Sequence, residues 1–229
     1  MGIRELKSRI GQLLGQDNFE DALETIRRMP GRQAVNPLFS FLYSGEEIIR
    51  WRAVTAMGAV VGHLADTAIE SARVVMRRFM WSLNDESGGI GWGAPEAMGE
   101  IMAGHDKLAE EYGHMLVAYM REDGFYLELP QLQQGLMWGL ARLTMAKPDL
   151  LKAKNVVAYL LPYLDSHDST VRGLAAWTLG LLHAGEAVSY LERLANDPAQ
   201  VTIFLNRTFV PDTVGSLAHK ALANIAKES

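Results

Sequence analysis

The chain repeats part of itself at a regular interval, and this repeat restricts the possible folds more than any other feature. Residues 49–58 read IRWRAVTAMG and residues 90–99 read IGWGAPEAMG, so a shift of 41 positions gives six identities in ten. A shift of 122 positions places residues 49–58 on 171–180 with Arg, Ala and Gly retained. An interval near 41 residues is the length of one helical hairpin, so the pattern predicts a stack of such hairpins.

One glycine recurs in successive copies of the repeat. Gly58, Gly99, Gly139 and Gly180 follow one another at steps of 41, 40 and 41 residues. Inside a helix each glycine costs roughly 1 kcal/mol relative to alanine. Because the cost recurs, we expect a recurring benefit, namely close contact between neighbouring helices at Gly58, Gly139 and Gly180.

The repeat sets the expected architecture. We predict an all-α fold, an α-α superhelix (solenoid) of about five helical-hairpin repeats, with a small β-hairpin near the C-terminus. Residues 1–229 are expected to form a single domain. Within it, 1–32 form an N-terminal helical cap, 33–197 the repeats, and 198–229 the β-hairpin and closing helix.

The β-hairpin is predicted where the composition changes near the C-terminus. Residues 200–211 read QVTIFLNRTFVP, a β-branched and aromatic stretch with Asn206 and Arg207 at its centre. Such a stretch favours two strands joined by a tight turn. Asp212 or Thr213 then stands where the N-cap of the closing helix is expected.

A second pattern is clearest in the unit that ends the repeat series. It consists of a turn with Asp, then Val-Arg, a pair of small residues, Leu-Gly and an apolar second half. The matching residues are Asp168, Val171, Arg172, Ala175, Ala176, Leu179, Gly180 and Leu191. The first unit matches it at Ile49, Arg50, Ala53 and Gly58, with a glutamate in place of the Asp.

This pattern resembles the HEAT-like repeats of the phycobilisome-lyase type. The resemblance implies a helical repeat fold over about two-thirds of the chain. It leaves the function open between a scaffold, a lyase and a hydroxylase, because the family contains all three.

Composition and charge exclude several classes of protein. The net charge is −5 and the pI is near 5.7, whereas a nucleic-acid-binding domain usually carries a basic face. No cysteine is present, which excludes disulfides, thiolate catalysis and cysteine-based zinc sites. The most apolar stretch, 53–64, is too short to cross a membrane, and residues 1–14 lack the apolar core of a signal peptide. We therefore expect a cytoplasmic protein that binds neither nucleic acid nor membrane.

Acidic residues are concentrated in the middle of the chain. Residues 85–128 contain ten Asp or Glu and only two basic residues, Lys107 and Arg121, for a local balance of −8. A field of this sign attracts a basic partner. The alternative is an acidic face that only solvates the protein.

A glycine-rich loop interrupts the repeat in the second unit. Residues 84–93 read NDESGGIGWG, and glycines 91 and 93 stand where the first unit has Arg50 and Arg52. Glycine lets a backbone approach a ligand closely, and long loops on a regular scaffold often bind partners. The predicted partner-binding surface consists of Asp85, Glu86, Gly91, Trp92, Glu96 and Glu100. The alternative is a longer turn whose tryptophan packs in the core.

Residues with catalytic potential are few. Glu111 and His114 form one Glu-x-x-His pair, whereas di-iron bundles use two such pairs with two further glutamates. The chain has no His-Glu dipeptide, the iron-binding motif of the hydroxylases in the family that it resembles. We therefore expect no catalytic residue, no metal ligand and no cofactor.

Two tryptophans and two arginines of the repeat are expected to be structural. Trp81 and Trp138 are predicted to lie in the core. Arg50 and Arg172 are predicted to pair with neighbouring acidic groups or backbone carbonyls.

The predicted function follows from the architecture. Stacked helical hairpins present an extended surface, which favours a non-catalytic protein-binding scaffold or adaptor whose partner carries a basic segment. The alternative is a small-molecule or metal-binding enzyme, of lyase or hydroxylase type, that uses the glycine-rich loop with Glu111 and His114. The sequence leaves the oligomeric state open.

Overall fold

A computed structural model describes residues 2–84 and 90–227. Helices make up most of the regular structure in these ranges. The chain packs as two compact units, unit 1 (Met1–Ala109) and unit 2 (Glu110–Ser229). The expectation of a single domain over 1–229 stays a prediction. None of the helices in the described ranges combines the length and the apolar character needed to cross a membrane.

Unit 1 is built from helices whose apolar residues recur at helical spacing. The helices are α1 Ile3–Leu14, α2 Phe19–Arg27, α3 Gly31–Phe41, α4 Glu47–Leu83 and α5 Ala94–Gly104, while α6 Asp106–Ala118 begins at the end of the unit. In α1 the buried Leu6, Ile10 and Leu13 form one apolar stripe. Helix α4 packs against both α3 and α5, which places it at the centre of the unit.

Helix α4 is broken once along its length. Ala68 has φ −154° and ψ 69°, so residues 47–67 and 69–83 form two helical segments. In the second segment the buried stripe is Ala72, Val75, Met76 and Phe79. Trp81 lies off that stripe and is 70% exposed, so the prediction that it belongs to the core was wrong. The sequence pattern of α4 gives no warning of the break at Ala68.

Unit 2 combines helices of 5 to 17 residues with the only β-sheet found among the described residues. Its helices are α7 Pro130–Ala146, α8 Pro148–Lys152, α9 Val156–Leu160, α10 Ser169–Leu181, α11 Val188–Leu194 and α12 Val214–Ile225. Two 3-10 turns, Leu161–Asp165 and Gly185–Ala187, follow α9 and precede α11. Helix α10 packs against α7 and α12, and it is almost wholly apolar on those faces.

The predicted β-hairpin and helix caps are confirmed. Strand β1, Gln200–Leu205, pairs antiparallel with β2, Thr208–Thr213. The two turn residues, Asn206 and Arg207, have positive φ angles of 50° and 65°, as a tight two-residue hairpin requires. The backbone N–H of Ser216 donates to Thr213 Oγ1 at 3.1 Å and so caps α12.

The N-terminus of α10 and the core tryptophan of α7 also match their predictions. The N–H of Val171 donates to Asp168 Oδ1 at 3.0 Å, which is the expected N-cap. The indole of Trp138 is buried, and its Nε1 donates to the carbonyl of Phe204 at 2.7 Å. The hairpin is therefore fixed to α7 by a buried hydrogen bond.

The repeated glycines mark close helix contacts where the geometry is known. A Cβ on Gly58 of α4 would lie 2.5 Å from Glu100 Cγ of α5. A Cβ on Gly180 of α10 would lie 2.4 Å from Ala221 Cα of α12. A side chain at position 180 would therefore force α10 and α12 apart, whereas one at position 58 would displace the Glu100 side chain. Gly139 is buried within α7.

The repeat arginines bind acidic groups and carbonyls, as expected. Arg172 donates from Nε to Asp197 Oδ2 at 2.8 Å, and its Nη1 donates to the carbonyl of Ser166 at 3.1 Å. Arg50 lies 3.5 Å from a carboxylate oxygen of Glu47. The Arg172 contacts connect α10 to the turn before it and to the segment after α11, whereas the Arg50 contact lies within α4.

Candidate functional site

A cavity of about 520 Å³ opens on the surface of unit 2. It lies between the segment that follows α6, residues 120–126, and the segment that carries α9 and the first 3-10 turn, residues 158–166. We call it the tyrosine pocket and define it by Arg121, Glu122, Asp123, Tyr126, Tyr159, Tyr163 and Asp165. The combination of aromatic rings and carboxylates distinguishes it from an ordinary gap between helices.

Tyr163 forms a rigid wall of this pocket. Its hydroxyl is buried and donates to the backbone carbonyl of Met120 at 3.0 Å, which connects the 3-10 turn to the chain after α6. Burial raises the pKa of the Tyr163 phenol, and the nearby Tyr126 and Glu122 raise it further. The phenol therefore stays neutral and keeps its hydrogen bond over the physiological pH range.

Tyr126 is held at the mouth of the pocket by the first turn of α7. Gln133 Nε2 lies 2.9 Å from the Tyr126 hydroxyl and 2.9 Å from the carbonyl of Leu127, and it donates to both oxygens. One amide group thus fixes both the ring and the backbone next to it. The ring remains partly exposed and can contact a ligand.

Arg121 shows what kind of group the pocket accommodates. Its guanidinium donates to both carboxylate oxygens of Asp123, at 2.9 and 2.6 Å, and lies 5.0 Å from the centre of the Tyr159 ring. These hydrogen bonds lower the pKa of the Asp123 carboxyl. A cation is therefore already bound here between a carboxylate and an aromatic face, the two groups that recognise cations best.

The charges that remain after this pairing are negative. Among the described residues no hydrogen bond or ion pair involves the Glu122 carboxylate, which is exposed. Asp165 lies 3.7 Å from Arg193, but both side chains are largely exposed, so that pair is weak. The pocket therefore has room and charge for a second cation.

The structure describes four of the six residues of the predicted loop surface, namely Gly91, Trp92, Glu96 and Glu100. Asp85 and Glu86 lie outside the described residues. Gly91 is buried, and a Cβ there would lie 2.9 Å from Leu83 Cδ2. Gly93 has φ +74°, and a Cβ there would lie 3.1 Å from Leu42 Cβ. Both glycines therefore bring the loop against its own unit, which is a sufficient reason for glycine at each position.

The other three members of that surface differ in accessibility. Glu96 is only 8% exposed, and burial raises the pKa of its carboxyl to about 7, although the charge of Arg50 acts in the opposite direction. Glu100 is half-buried where α5 crosses Gly58, and Trp92 is half-buried as well. Trp92 and Glu100 thus keep some surface for a partner, and the loop surface itself stays a prediction.

Helix α6 carries the pair that the metal-enzyme alternative requires. Glu111 is half-buried and His114 is exposed. Within residues 2–84 and 90–227, no three His, Asp or Glu side chains come together as a metal site. No observation on α6 therefore favours metal chemistry over binding.

Sequence reasoning missed the tyrosine pocket. Tyr159 and Tyr163 are four residues apart, a spacing that places both on one side of a helical turn, and this signal was available. In the sequence, Glu122 and Asp123 are distinguished only by their place in the acidic region, residues 85–128. Tyr126 joins the site through a hydrogen bond to Gln133, which sequence spacing does not reveal.

Comparison with known proteins confirms the predicted family resemblance and the fold. Residues 130–182 match the family model of the HEAT-like repeat. An uncharacterized protein of Archaeoglobus fulgidus is 31% identical over 83 residues, which are 36% of this chain and 42% of that protein. The match thus spans less than half of the archaeal relative.

Solved structures of helical repeat proteins resemble nearly the whole chain. An engineered protein matches with a TM-score of 0.56 and 19% identity, covering 99% of this chain and 98% of the other. A designed armadillo repeat protein in complex with the peptide (KR)4 matches with a TM-score of 0.54 and 17% identity, covering 96% and 99%. Computationally designed armadillo repeat proteins for modular peptide recognition match with a TM-score of 0.53, 18% identity and the same coverage. The all-α repeat fold is therefore the one predicted.

Proposed function

We propose that this chain is a non-catalytic protein-binding scaffold that holds a basic segment of its partner in the tyrosine pocket. The observation that carries the proposal is the arrangement of three tyrosines and three carboxylates around one cavity. An ammonium or guanidinium group gains from both kinds of neighbour, by cation–π contact and by charge-assisted hydrogen bonds. The ligand is therefore a Lys or Arg side chain of another protein.

The internal pair of the pocket supports this choice of ligand. Arg121 already lies over Tyr159 and binds Asp123 through two hydrogen bonds. An incoming cation would repeat this geometry with Glu122, Asp165 and the exposed part of Tyr126. A carboxylate ligand would meet like charges at the same place and would be repelled.

The fold comparison supports a peptide segment as the ligand. One designed protein of similar fold is in complex with (KR)4, a peptide made only of basic residues. At 17% identity that likeness concerns the fold, so the step to a basic ligand rests on the residues of the tyrosine pocket.

Isothermal titration calorimetry tests the proposal directly. The probe is the (KR)4 octapeptide, and the matched control is an octapeptide of alternating Glu and Asp. We expect the basic peptide to bind and the acidic peptide not to bind. The double variant Glu122→Gln, Asp165→Asn should weaken binding by about three- to tenfold, because it removes two charges at nearly constant shape.

A matched substitution outside the pocket controls for loss of charge alone. Glu186 is exposed, lies in the same unit and does not line the cavity. Glu186→Gln should leave the affinity within about twofold of the wild type. Equal weakening by Glu186→Gln, or no binding of the basic peptide to the wild type, would refute the proposal.

The glycine-rich loop of unit 1 is proposed as a separate contact surface for a basic segment. Its carboxylates, Asp85 and Glu86, have the sign that a basic segment requires, and Trp92 and Glu100 keep exposed surface next to it. The double variant Asp85→Ala, Glu86→Ala should weaken binding of the full partner while leaving the melting temperature nearly unchanged. Unfolding with unchanged binding would show that the loop is structural.

A further inference from the structure

A groove in unit 1 runs between α3 and residues 69–83 of α4. It consists of two adjoining hollows of about 500 and 330 Å³, and both are lined by Asn36 and Arg78. We call it the α3–α4 groove. It belongs to neither the tyrosine pocket nor the glycine-rich loop.

Two arginines of the groove are bound only to neutral groups. Arg32 donates from Nε to Ser71 Oγ at 3.0 Å. Arg78 donates from Nη1 to Asn36 Oδ1 at 2.6 Å, and its guanidinium lies 3.8 Å from the centre of the Phe39 ring. In the described part of the chain neither arginine forms an ion pair. Both side chains are exposed and are held in place by their hydrogen bonds to neutral side chains. Neither has an anionic partner among the described residues.

The nearby carboxylate does not neutralise these two arginines. Glu70 lines the groove, but its oxygens bind Arg77 at 2.7 Å and Arg73 at 3.4 Å. These hydrogen bonds lower the pKa of the Glu70 carboxyl, so it remains ionised and paired with Arg77 and Arg73 of the same helix. The groove therefore keeps a positive balance.

Apolar side chains lie exposed along the same groove. Val74 is 55% exposed and Trp81 is 70% exposed, and Tyr43 stands at the end next to Trp81. The α3 side of the groove runs from Arg32 to Tyr43, which corresponds to about three helical turns, or about 16 Å. Exposed apolar residues beside positioned charges are typical of a protein-binding surface.

We propose that the α3–α4 groove binds an acidic amphipathic helix of a partner protein. Two helices separated by a groove provide the ridges between which a third helix packs. The apolar face of the incoming helix covers Val74 and Trp81, and its carboxylates pair with Arg32 and Arg78. This surface goes beyond the function proposed above, because it takes a ligand of the opposite charge at a different site.

Fluorescence anisotropy with a designed helix tests this assignment. The probe is a fluorescein-labelled peptide of about fourteen residues, long enough for more than three turns, with Leu on one face and Glu elsewhere. The control peptide keeps every Leu and replaces every Glu with Lys. We expect the acidic peptide to bind at least about tenfold more tightly than the basic one, as charge complementarity predicts.

Substitutions in the groove identify the binding residues. Arg32→Gln and Trp81→Ser should each weaken the acidic peptide by about five- to tenfold, and Arg78→Gln should do the same. Arg4→Gln and Ile3→Ser are the matched controls, since both residues are exposed in α1 of the same unit and lie outside the groove. These controls should change the affinity by less than about twofold. Since Arg78 also packs on Phe39, circular dichroism checks that its variant is folded.

Three results would overturn the assignment. The first is equal binding of the acidic and basic peptides, and the second is unchanged affinity in both Arg32→Gln and Trp81→Ser. The third is self-association of the wild type in analytical ultracentrifugation that Trp81→Ser abolishes, because the occupant would then be a second copy of this chain. Binding of (KR)4 at the tyrosine pocket is a separate measurement, so either proposal can fail without the other.

Discussion

The tyrosine pocket of unit 2 and the α3–α4 groove of unit 1 use the same kinds of residue with opposite results. Each combines aromatic side chains with arginine. In the pocket, Arg121 is neutralised by Asp123, and the charge left over is that of Glu122. In the groove, Arg32 and Arg78 bind neutral oxygens, and the charge left over is their own.

The difference shows that a surface is characterised by the charges that remain after internal pairing. A local count of acidic and basic residues does not give that remainder.

The largest effect concerns the helical scaffold on which the comparison depends. Gly180→Leu should destabilise the protein by about 3 kcal/mol, the upper end of the usual range for overpacking, because the new side chain would meet the backbone of Ala221. Gly62→Ala is the control, since a Cβ at Gly62 has no atom within 4 Å. Urea unfolding should show Gly62→Ala equal to the wild type or more stable by up to about 1 kcal/mol. Equal stability of all three proteins would show that the glycine contact is unimportant.

Glu96 of unit 1 is buried, whereas Asp123 of the pocket is paired and Glu122 is exposed. The pKa of Glu96 is raised from 4.5 to about 7 by burial, so the native state holds a proton that the unfolded chain has lost. Stability should therefore fall as the pH rises from about 4.5 to about 7, by at most about 3 kcal/mol. Glu96→Gln should remove this fall, so that the variant gains on the wild type between pH 5 and pH 8 in urea unfolding. A difference that does not depend on pH would contradict the burial of an ionisable Glu96.

Reversal of the groove charges tests whether left-over charge decides the ligand. The double variant Arg32→Glu, Arg78→Glu should weaken binding of the acidic helix by about a hundredfold, equivalent to about 2.7 kcal/mol, and should strengthen binding of the lysine version. Fluorescence anisotropy with both peptides measures the change. Equal weakening of both peptides would instead indicate damage to the groove.

The smallest effect is a predicted gain of affinity in the pocket. Arg121→Gln removes the internal cation and exposes Asp123 and the Tyr159 ring to a ligand. The (KR)4 peptide should then bind about threefold more tightly in calorimetry. A loss of affinity with an unchanged fold would show that Arg121 itself contacts the peptide and that the pocket has no site for a second cation.

The sequence predicted the parts of the fold that depend on local chemistry and on the repeat. Asp168 caps α10, Asn206 and Arg207 form the hairpin turn, and Gly180 lies at a helix contact. In each case the residue type is dictated by its immediate backbone or by a recurring neighbour. The break at Ala68 was not predictable in this way, because alanine is the best helix former. Trp81 is exposed because it lies two positions from the buried Phe79, on the opposite side of the helix from the buried stripe.

The candidate site was predicted less well, because it is assembled by tertiary packing. The acidic region predicted a basic partner and the glycine-rich loop predicted its contact residues, and both stay predictions. Glu96 looked like a surface carboxylate and is buried, since α5 turns that side inward. The rings of the tyrosine pocket come from segments more than 30 residues apart, which tertiary contacts such as Tyr163 to Met120 and Arg121 to Tyr159 bring together.

The central claim, that a basic peptide binds in the tyrosine pocket, is tested most directly by NMR with ¹³C-labelled tyrosine. The chain has seven tyrosines, so each ring can be assigned and followed as (KR)4 is added. The account predicts that the signals of Tyr126, Tyr159 and Tyr163 shift, while Tyr43 in the α3–α4 groove and Tyr190 outside the pocket do not. Shifts confined to Tyr43, or no shift at the three pocket tyrosines at saturating peptide, would contradict it.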